Sequence, residues 1–417
     1  MKPRPNRSYF EIVWQQFRAN RPAYWSMWLL LPIALVAIFA PVLASNLPFV
    51  YRDGNITLYP WFRGLFTVDE PVNYLFNMAL LAFFPWLAIL PIIRRRGKKK
   101  SLSPRKVLRR GLWWYAGMTI LLAAIFSTPM FRLAPRYTAR DFTTERWQEP
   151  VETKQGYYPP IPFGPIEQDI LAIFKPPMYR KPLADWSKSN DHAPHILGTD
   201  NAGRDVLVQM IYGTRISMTV GFLAVGLYLS IGCVIGALLG YVGGRFDIIM
   251  SRVIEVVLLF PAFFLILTLV ALLGPSIYII MFVIGITGWP TIARLIRAEV
   301  LKQRSLDYVT AARACGASHA RIIFRHLLPN SVGPALVAAP FGIAGAIMTE
   351  ASLSLLGFGV QPPTPSWGTL LQLGSANYNY WWLVVVPSLA IFVIVTLFNL
   401  VGTGLRDAMD PKLRTGV

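Results

Sequence analysis

The sequence predicts an all-α polytopic membrane protein with about eight transmembrane helices, on three observations. Apolar stretches of about 20 residues recur along the chain, each long enough to cross a bilayer. Only 15% of residues are charged while 54% are hydrophobic, whereas a soluble domain carries about 25% charged residues. Basic residues gather beside the apolar stretches, and tryptophans crowd their ends (Trp25, Trp28, Trp113, Trp114, Trp381, Trp382). That arrangement marks membrane topology and interfacial belts.

The N-terminal region, 1–130, begins with a basic, acid-poor lead holding Lys2, Arg4, Arg7, Arg18 and Arg21. A first span follows at 23–44. Val42-Leu43-Ala44 would also suit a signal-peptide cleavage site, but the long basic lead and long apolar core favour a retained helix. Residues 45–73 read as a turn-rich connection. A second span, 74–93, runs into Arg94-Arg95-Arg96-Gly97-Lys98-Lys99-Lys100, and residues 94–110 carry ten basic groups and no acid. This is a stop-transfer anchor, with a nuclear signal or contact with anionic lipid as the alternatives. A third span, 111–130, returns across the membrane as the second arm of a hairpin.

Residues 131–205 form a polar, nearly neutral loop segment that three crossings place outside the membrane. Its Pro-rich part, Tyr157 to Pro182, reads as extended loop. After a turn-rich lead, His195 to Asp205, the region 206–410 opens with an amphipathic stretch, Val206 to Tyr212. Five spans follow, at 215–241, 250–273, 277–297, 331–357 and 381–404. Eight spans leave both termini on one side, and 27 of the 40 Lys and Arg residues fall on that side. The rule that positive charge stays inside makes both termini cytoplasmic.

The net charge of +19 does not indicate nucleic acid, because it is spread over span ends rather than gathered on one face. Cys233 and Cys315 form neither a disulfide framework nor a metal site. His192 and His195 have a ligand-like spacing, but Pro194 between them argues against a helix and against metal. No phosphate-binding loop and no nucleophile–base set is present, so the chain is not an enzyme, has no catalytic residues and binds no cofactor itself. Glu255 and Glu350, carboxylates inside spans, are candidate pathway or gate residues. Arg252, three residues before Glu255, makes a local ion pair the plainer reading there. Gly232, Gly236 and Gly240 form a tandem small-xxx-small face for close helix packing, within the chain or against a second subunit, the former being favoured. The loop Gln361 to Gly368, stiffened by prolines, either touches a delivery protein or caps the helices.

The most informative stretch is DYVTAARACGASHARIIFRHLLPN, residues 307–330. It reads as two short helices meeting near Gly316 and stopped at Leu328-Pro329. Presented outside the bilayer, such an element fits a groove on another protein.

TAARACG followed by HLLPN resembles the "EAA loop" of ABC-importer permeases. The loop there is a coupling helix seated in a cleft of the cytoplasmic ATPase. Thr310 stands where that pattern has Glu. The likeness extends through LGTDNAGRDV (197–206), IYGTRIS (211–217), GYVGGRFD (240–247), GWPTIARLIRAEVL (288–301), EASLSLLGFGVQPPTPSWG (350–368) and FNLVGTGLRDAMDP (398–411). As a set these are similar to the C-type permease of dipeptide, oligopeptide and nickel ABC importers. FRANRPAYWSMW (17–28) and PIPFGP (160–165) resemble the microcin-C-type peptide-importer subgroup, while the hairpin of spans two and three departs from the usual plan.

The resemblance implies a type I importer permease fold in the C-terminal half, with Asp307, Thr310, Ala311, Ala312, Gly316, Leu328 and Pro329 docking the ATPase within a coupling loop at 306–330. It implies a second homologous permease, two ATPases or one fused ATPase using ATP and magnesium, and a periplasmic substrate-binding protein, all at the cell inner membrane. A nickel-chelate cargo and an ion-gradient-driven secondary transporter are the alternatives. The latter calls for chains of buried carboxylates and inverted repeats, which the sequence does not display.

Overall fold

The computed structural model describes residues 9–66, 71–99, 104–128, 154–180 and 193–410. Expectations resting on the lead before Tyr9, on 100–103, on 131–153, on His192 and on the tail after Asp410 lie outside the described residues. Side chains of the basic run 94–100 lie outside them too.

The chain opens with α1 (Tyr9–Ala19) and α2 (Arg21–Leu43). Asn20 caps α2 by accepting from the Ala23 N–H at 3.3 Å, with Pro22 in the first turn, where its missing N–H is harmless. The expected connection 45–73 is more ordered than a turn-rich linker. It contains β1 (Val50–Asp53), β2 (Ile56–Leu58) and α3 (Pro60–Gly64). The β1–β2 hairpin turns on Gly54, at φ +57°, the left-handed conformation that two-residue hairpin turns require.

A hairpin of α4 (Pro71–Lys99) and α5 (Pro104–Ser127) follows. It is stitched by Trp86 Nε1 to Gly111 O (2.7 Å), Tyr115 OH to Ala79 O (2.9 Å) and Tyr74 OH to Ala123 O (3.0 Å). Strand β3 (Lys154–Tyr157) returns to pair antiparallel with β1, giving the order β2-β1-β3. The all-α expectation is thus amended by one small sheet built from the two segments read as loops. The Pro-rich stretch also contributes to packing. Phe163 is buried with Ala40, Ala44, Val208 and Tyr212.

The long helix α6 (Val206–Val242) has 37 residues and spans about 55 Å. It absorbs the stretch expected as an amphipathic lead to the span at 215–241. Asp205 starts it by accepting from the Val208 N–H at 2.9 Å, a side-chain N-cap. Helices α7 (Gly244–Leu259) and α8 (Ala262–Leu273) replace the single span expected at 250–273, bent by 82°. Pro261 lacks the N–H to continue α7 and pushes Phe260 to extended geometry, with Phe260 at φ −76°, ψ 130°. Then come α9 (Ile277–Gln303), a loop of short helices, α13 (Gly333–Leu355), α14 (Trp367–Ala376) and α15 (Trp382–Met409).

Among the described residues six helices are long and apolar enough to cross a membrane, or seven with α7–α8 as one bent span. The third expected span, 111–130, falls on α5, which is not among them. Arg109, Arg110, Trp113 and Trp114 lower its hydropathy.

The core is the contact of α6 with α9, flanked by α13 and α15. Gly232, Gly236 and Gly240 face α9 of the same chain. A Cβ on Gly236 would lie 2.5 Å from Ala293 O, and one on Gly232 would lie 2.8 Å from Trp289 O. At the end of the bundle where α6 begins, Trp382 Nε1 donates to Thr199 O (3.1 Å) and Trp367 Nε1 to Met210 O (3.0 Å). Thr364, Ser366 and Trp367 are buried, so this half of the proline-stiffened loop packs down on the helices, while Gln361, Pro362 and Pro363 are exposed.

Candidate functional site

At the other end of the bundle, α9 runs into α10 (Asp307–Ala314). Asp307 in the first turn complements the helix dipole. Thr310 donates to Asp307 O at 3.0 Å, so its hydroxyl is engaged with its own helix. Gly316, at φ +74°, ends α10 in a Schellman arrangement. The Gly316 N–H reaches Arg313 O (2.9 Å) and the Ala317 N–H reaches Ala312 O (3.1 Å), satisfying carbonyls that a helix end would leave bare.

The chain then turns back as α11 (His319–Arg321), a π-helical turn (Ile322–Leu327) and α12 (Leu328–Ser331). Ser318 caps it, accepting from the Arg321 N–H at 3.4 Å. Here the expectation that Leu328-Pro329 stops the helix is corrected. Pro329 sits in the first turn of α12, and the wider π turn before it accommodates a residue without an N–H.

The loop is amphipathic. Val309, Ile322, Ile323 and Leu327 belong to the main core cluster, and Ala312, Ala317 and Leu328 pack against it. Asp307, Thr310, Ala311, Gly316 and Pro329 are exposed, together with Arg313, Arg321, Phe324 and Arg325. Of the seven residues singled out from sequence, five are therefore on the outer face. Ala312 and Leu328 turn inward and hold the loop to the bundle.

Side chains that sequence reasoning passed over fix its attitude. The Tyr241 hydroxyl, at the end of α6, lies 2.7 Å from His319 Nδ1, and Arg313 stands 5.3 Å over the Tyr241 ring. Arg304 Nη1 donates to Gly240 O (3.1 Å). Gln303 Nε2 donates to Asn330 O (2.9 Å) and Gln303 Oε1 accepts from Tyr308 OH (2.7 Å). Partial burial raises the Tyr308 pKa, so that hydroxyl stays a donor. Arg297 grips Asp247 through Nε (2.5 Å) and Nη2 (2.7 Å), tying α7 to α9. Polar residues at the ends of apolar spans were the available signal, but their partners lie up to 78 residues away.

The two carboxylates singled out within spans are not brought together with this loop by any hydrogen bond or ion pair described. Glu255 pairs with Arg252 at 2.5 Å, and both are exposed. Glu350 is fully buried. Its Oε1 accepts from Ser354 Oγ (2.8 Å), while Oε2 has no hydrogen-bond partner among the described residues within ordinary geometry. His195 Nδ1 lies 2.8 Å from Asp205 Oδ2, stacked on Phe163. Among the described residues no group of three or more His, Cys, Asp or Glu side chains gathers to hold a metal.

These features define a multi-pass helical membrane protein with a compact amphipathic loop on one end. Known proteins narrow the class. The profile of binding-protein-dependent transport system inner membrane components matches residues 232–415, and that of the N-terminal TM domain of oligopeptide transport permease C matches 8–60. The dipeptide transport system permease protein DppC of Escherichia coli (strain K12) is 43% identical over 254 residues, 61% of this chain and 82% of the relative. The DppC protein of Alkalihalophilus pseudofirmus is 39% identical over 255 residues, covering 59% and 83%. The oligopeptide transport system permease protein OppC of Bacillus subtilis is 38% identical over 250 residues, covering 59% and 82%. The chain belongs to this family, as a C-type permease subunit. The MetNI methionine ABC transporter in inward facing conformations overlaps at a TM-score of 0.40 with 16% identity, covering 48% of this chain and 96% of that one.

Proposed function

We propose that the chain is one of two homologous permeases of an ATP-driven importer, with peptides as its cargo, and that residues 307–331 dock the ATPase. The observation that carries this reading is the loop itself. It has an apolar face buried in the bundle core, an exposed face with Arg313, Arg321 and Phe324, and direct ties to α6 and α9. Such an element transmits a push only if its partner contacts it differently in two states. Partner ATPases closing on ATP and magnesium supply that difference. The ties through Tyr241 and Gln303 carry it to α6 and α9, which switch the path between inward-facing and outward-facing arrangements.

Peptide cargo is supported by the relatives, which are dipeptide and oligopeptide permeases. A substrate-binding protein delivers to the end capped by Trp367 and Trp382. Both termini and the coupling loop, 306–330, then face the cytoplasm. The broken helix α7–α8 carries the exposed Arg252–Glu255 pair and a helix break. Charged side chains facing hydrocarbon are disfavoured even when paired, so this surface is the seat of the second permease and the path.

The test is purification of the tagged chain from its own membranes in mild detergent, followed by ATP hydrolysis and peptide uptake in vesicles. A second permease and Walker-motif ATPases should co-purify. Gly316→Leu, forced into a left-handed conformation, should keep the complex but cut uptake per ATP hydrolysed about tenfold or more. A chain that purifies alone, or a Gly316→Leu complex with normal uptake, would refute the proposal.

A further inference from the structure

Arg215 is the largest fully buried side chain among the described residues. Its described partners include no carboxylate. Nε donates to Ala37 O at 2.7 Å. Nη1 donates to Asn77 Oδ1 (3.0 Å) and Asn73 Oδ1 (3.2 Å), with Asn73 O at 3.4 Å, and Nη2 reaches Ile38 O at 3.4 Å. The Tyr212 and Phe76 rings lie 5.2 and 5.3 Å from the guanidinium carbon, within cation–π range.

Each partner has a local cause. Ala37 O is four residues before Pro41, which has no N–H to give it, so α2 presents a carbonyl without its usual helical donor. Asn73 and Asn77 are one turn apart on α4 and so share a face. The guanidinium stays charged at any physiological pH, and an ion set among apolar helices needs every available acceptor. Three helices distant in sequence thus converge on one cation, and α4 supplies most of the acceptors for Nη1.

Neither family profile covers residues 61–231, so both the α4–α5 hairpin and Arg215 lie between them. We propose that Arg215 is the positioning residue that docks the α4–α5 hairpin onto α2 and α6, with Asn73 and Asn77 as its receptor face. The hairpin is a permanently seated annex. It shields the cation from hydrocarbon and moves with α2 and α6 as one body. An unseated hairpin would leave Nη1 without its amide acceptors, and a missing Arg215 would take from Ala37 O and from the Oδ1 atoms of Asn73 and Asn77 the donor they share.

The experiment uses the whole complex in membranes, with Cys233 and Cys315 replaced by serine. Phe39 on α2 and Phe83 on α4 have ring centroids 5.2 Å apart, so Phe39→Cys with Phe83→Cys reports docking through cross-linking by a bifunctional thiol reagent long enough to span the two rings. Leu90→Cys with Gly111→Cys reports the integrity of the hairpin alone, since a Cβ at Gly111 would lie 3.9 Å from Leu90 Cδ1. Arg215→Met should slow the Phe39–Phe83 cross-link about tenfold, the effect of losing one or more charge-assisted hydrogen bonds, and leave the internal cross-link unchanged. Asn73→Ala with Asn77→Ala should slow the same cross-link and add little to Arg215→Met. Pro41→Ala, which restores the N–H that Ala37 O lacks, should recover part of the Arg215→Met loss.

An unchanged Phe39–Phe83 rate in Arg215→Met, strictly additive losses, or collapse of the internal cross-link as well would each overturn the docking role. If Arg215→Met does not reach the membrane, the asparagine pair decides. It leaves the Arg215–Ala37 bond in place, and an unchanged rate there overturns the proposal.

Discussion

Gly236→Ala should part α6 from α9. The added Cβ would lie 2.5 Å from Ala293 O, 2.9 Å from Ile296 Cβ and 3.0 Å from Ala293 Cα. Two of these three neighbours are backbone and cannot rotate away. Reaching ordinary contact requires the helices to separate by about 0.9 Å, and a gap of that size forfeits up to about half of the dispersion attraction of each atom pair. Overpacking of this kind costs about 1–3 kcal/mol, and rigid backbone places it near the upper end. Alanine recovers about 1 kcal/mol of helix propensity over glycine, so the net loss is about 2 kcal/mol. Gly226 on the same helix provides the control, since nothing lies within 4 Å of a Cβ there. Gly226→Ala should hold or raise stability. The assay is thermal melting of the purified complex followed by fluorescence-detected size exclusion. If Gly236→Ala melts at or above the parent, or if both variants shift together, the close approach of α6 to α9 is not what these glycines serve.

Three further outcomes follow from the same geometry. Asp205→Ala removes the cap on Val208 N–H and the partner of His195 Nδ1, at 2.9 and 2.8 Å. It should destabilise the chain by about 2 kcal/mol or more, read as a lowered melting midpoint, and an unchanged midpoint would contradict the cap. Arg297→Lys keeps the charge but loses the two-point grip on Asp247. Uptake should fall with the complex intact, and full uptake would show that the α7–α9 tie is dispensable. A cysteine placed within 94–110 should resist an impermeant thiol reagent added outside intact cells; labelling there would reverse the proposed topology.

Much was legible in the sequence because its causes are local. Hydropathy over about 20 residues locates spans, and Gly316 ends α10 because a left-handed residue is needed within one turn of it. Two expectations are amended for local reasons that the sequence did carry. Pro261 bends the stretch expected as one straight span, and Pro329 enters a helix instead of ending one because the preceding π turn widens to admit it.

What the sequence by itself determined is the class: a multi-pass helical protein with an exposed two-helix loop, its spans punctuated by glycine and proline. Tertiary structure alone decided the partners. The glycine stripe of α6 could have faced a second subunit, and faces α9. Arg215 lay at the edge of an expected span with nothing to say that it would be answered by Asn77, 138 residues away, and by Ala37, 178 residues away. Propensity and hydropathy act over a turn or a span. The choice of which buried donor meets which acceptor is made by packing between helices, and no short window of sequence contains it.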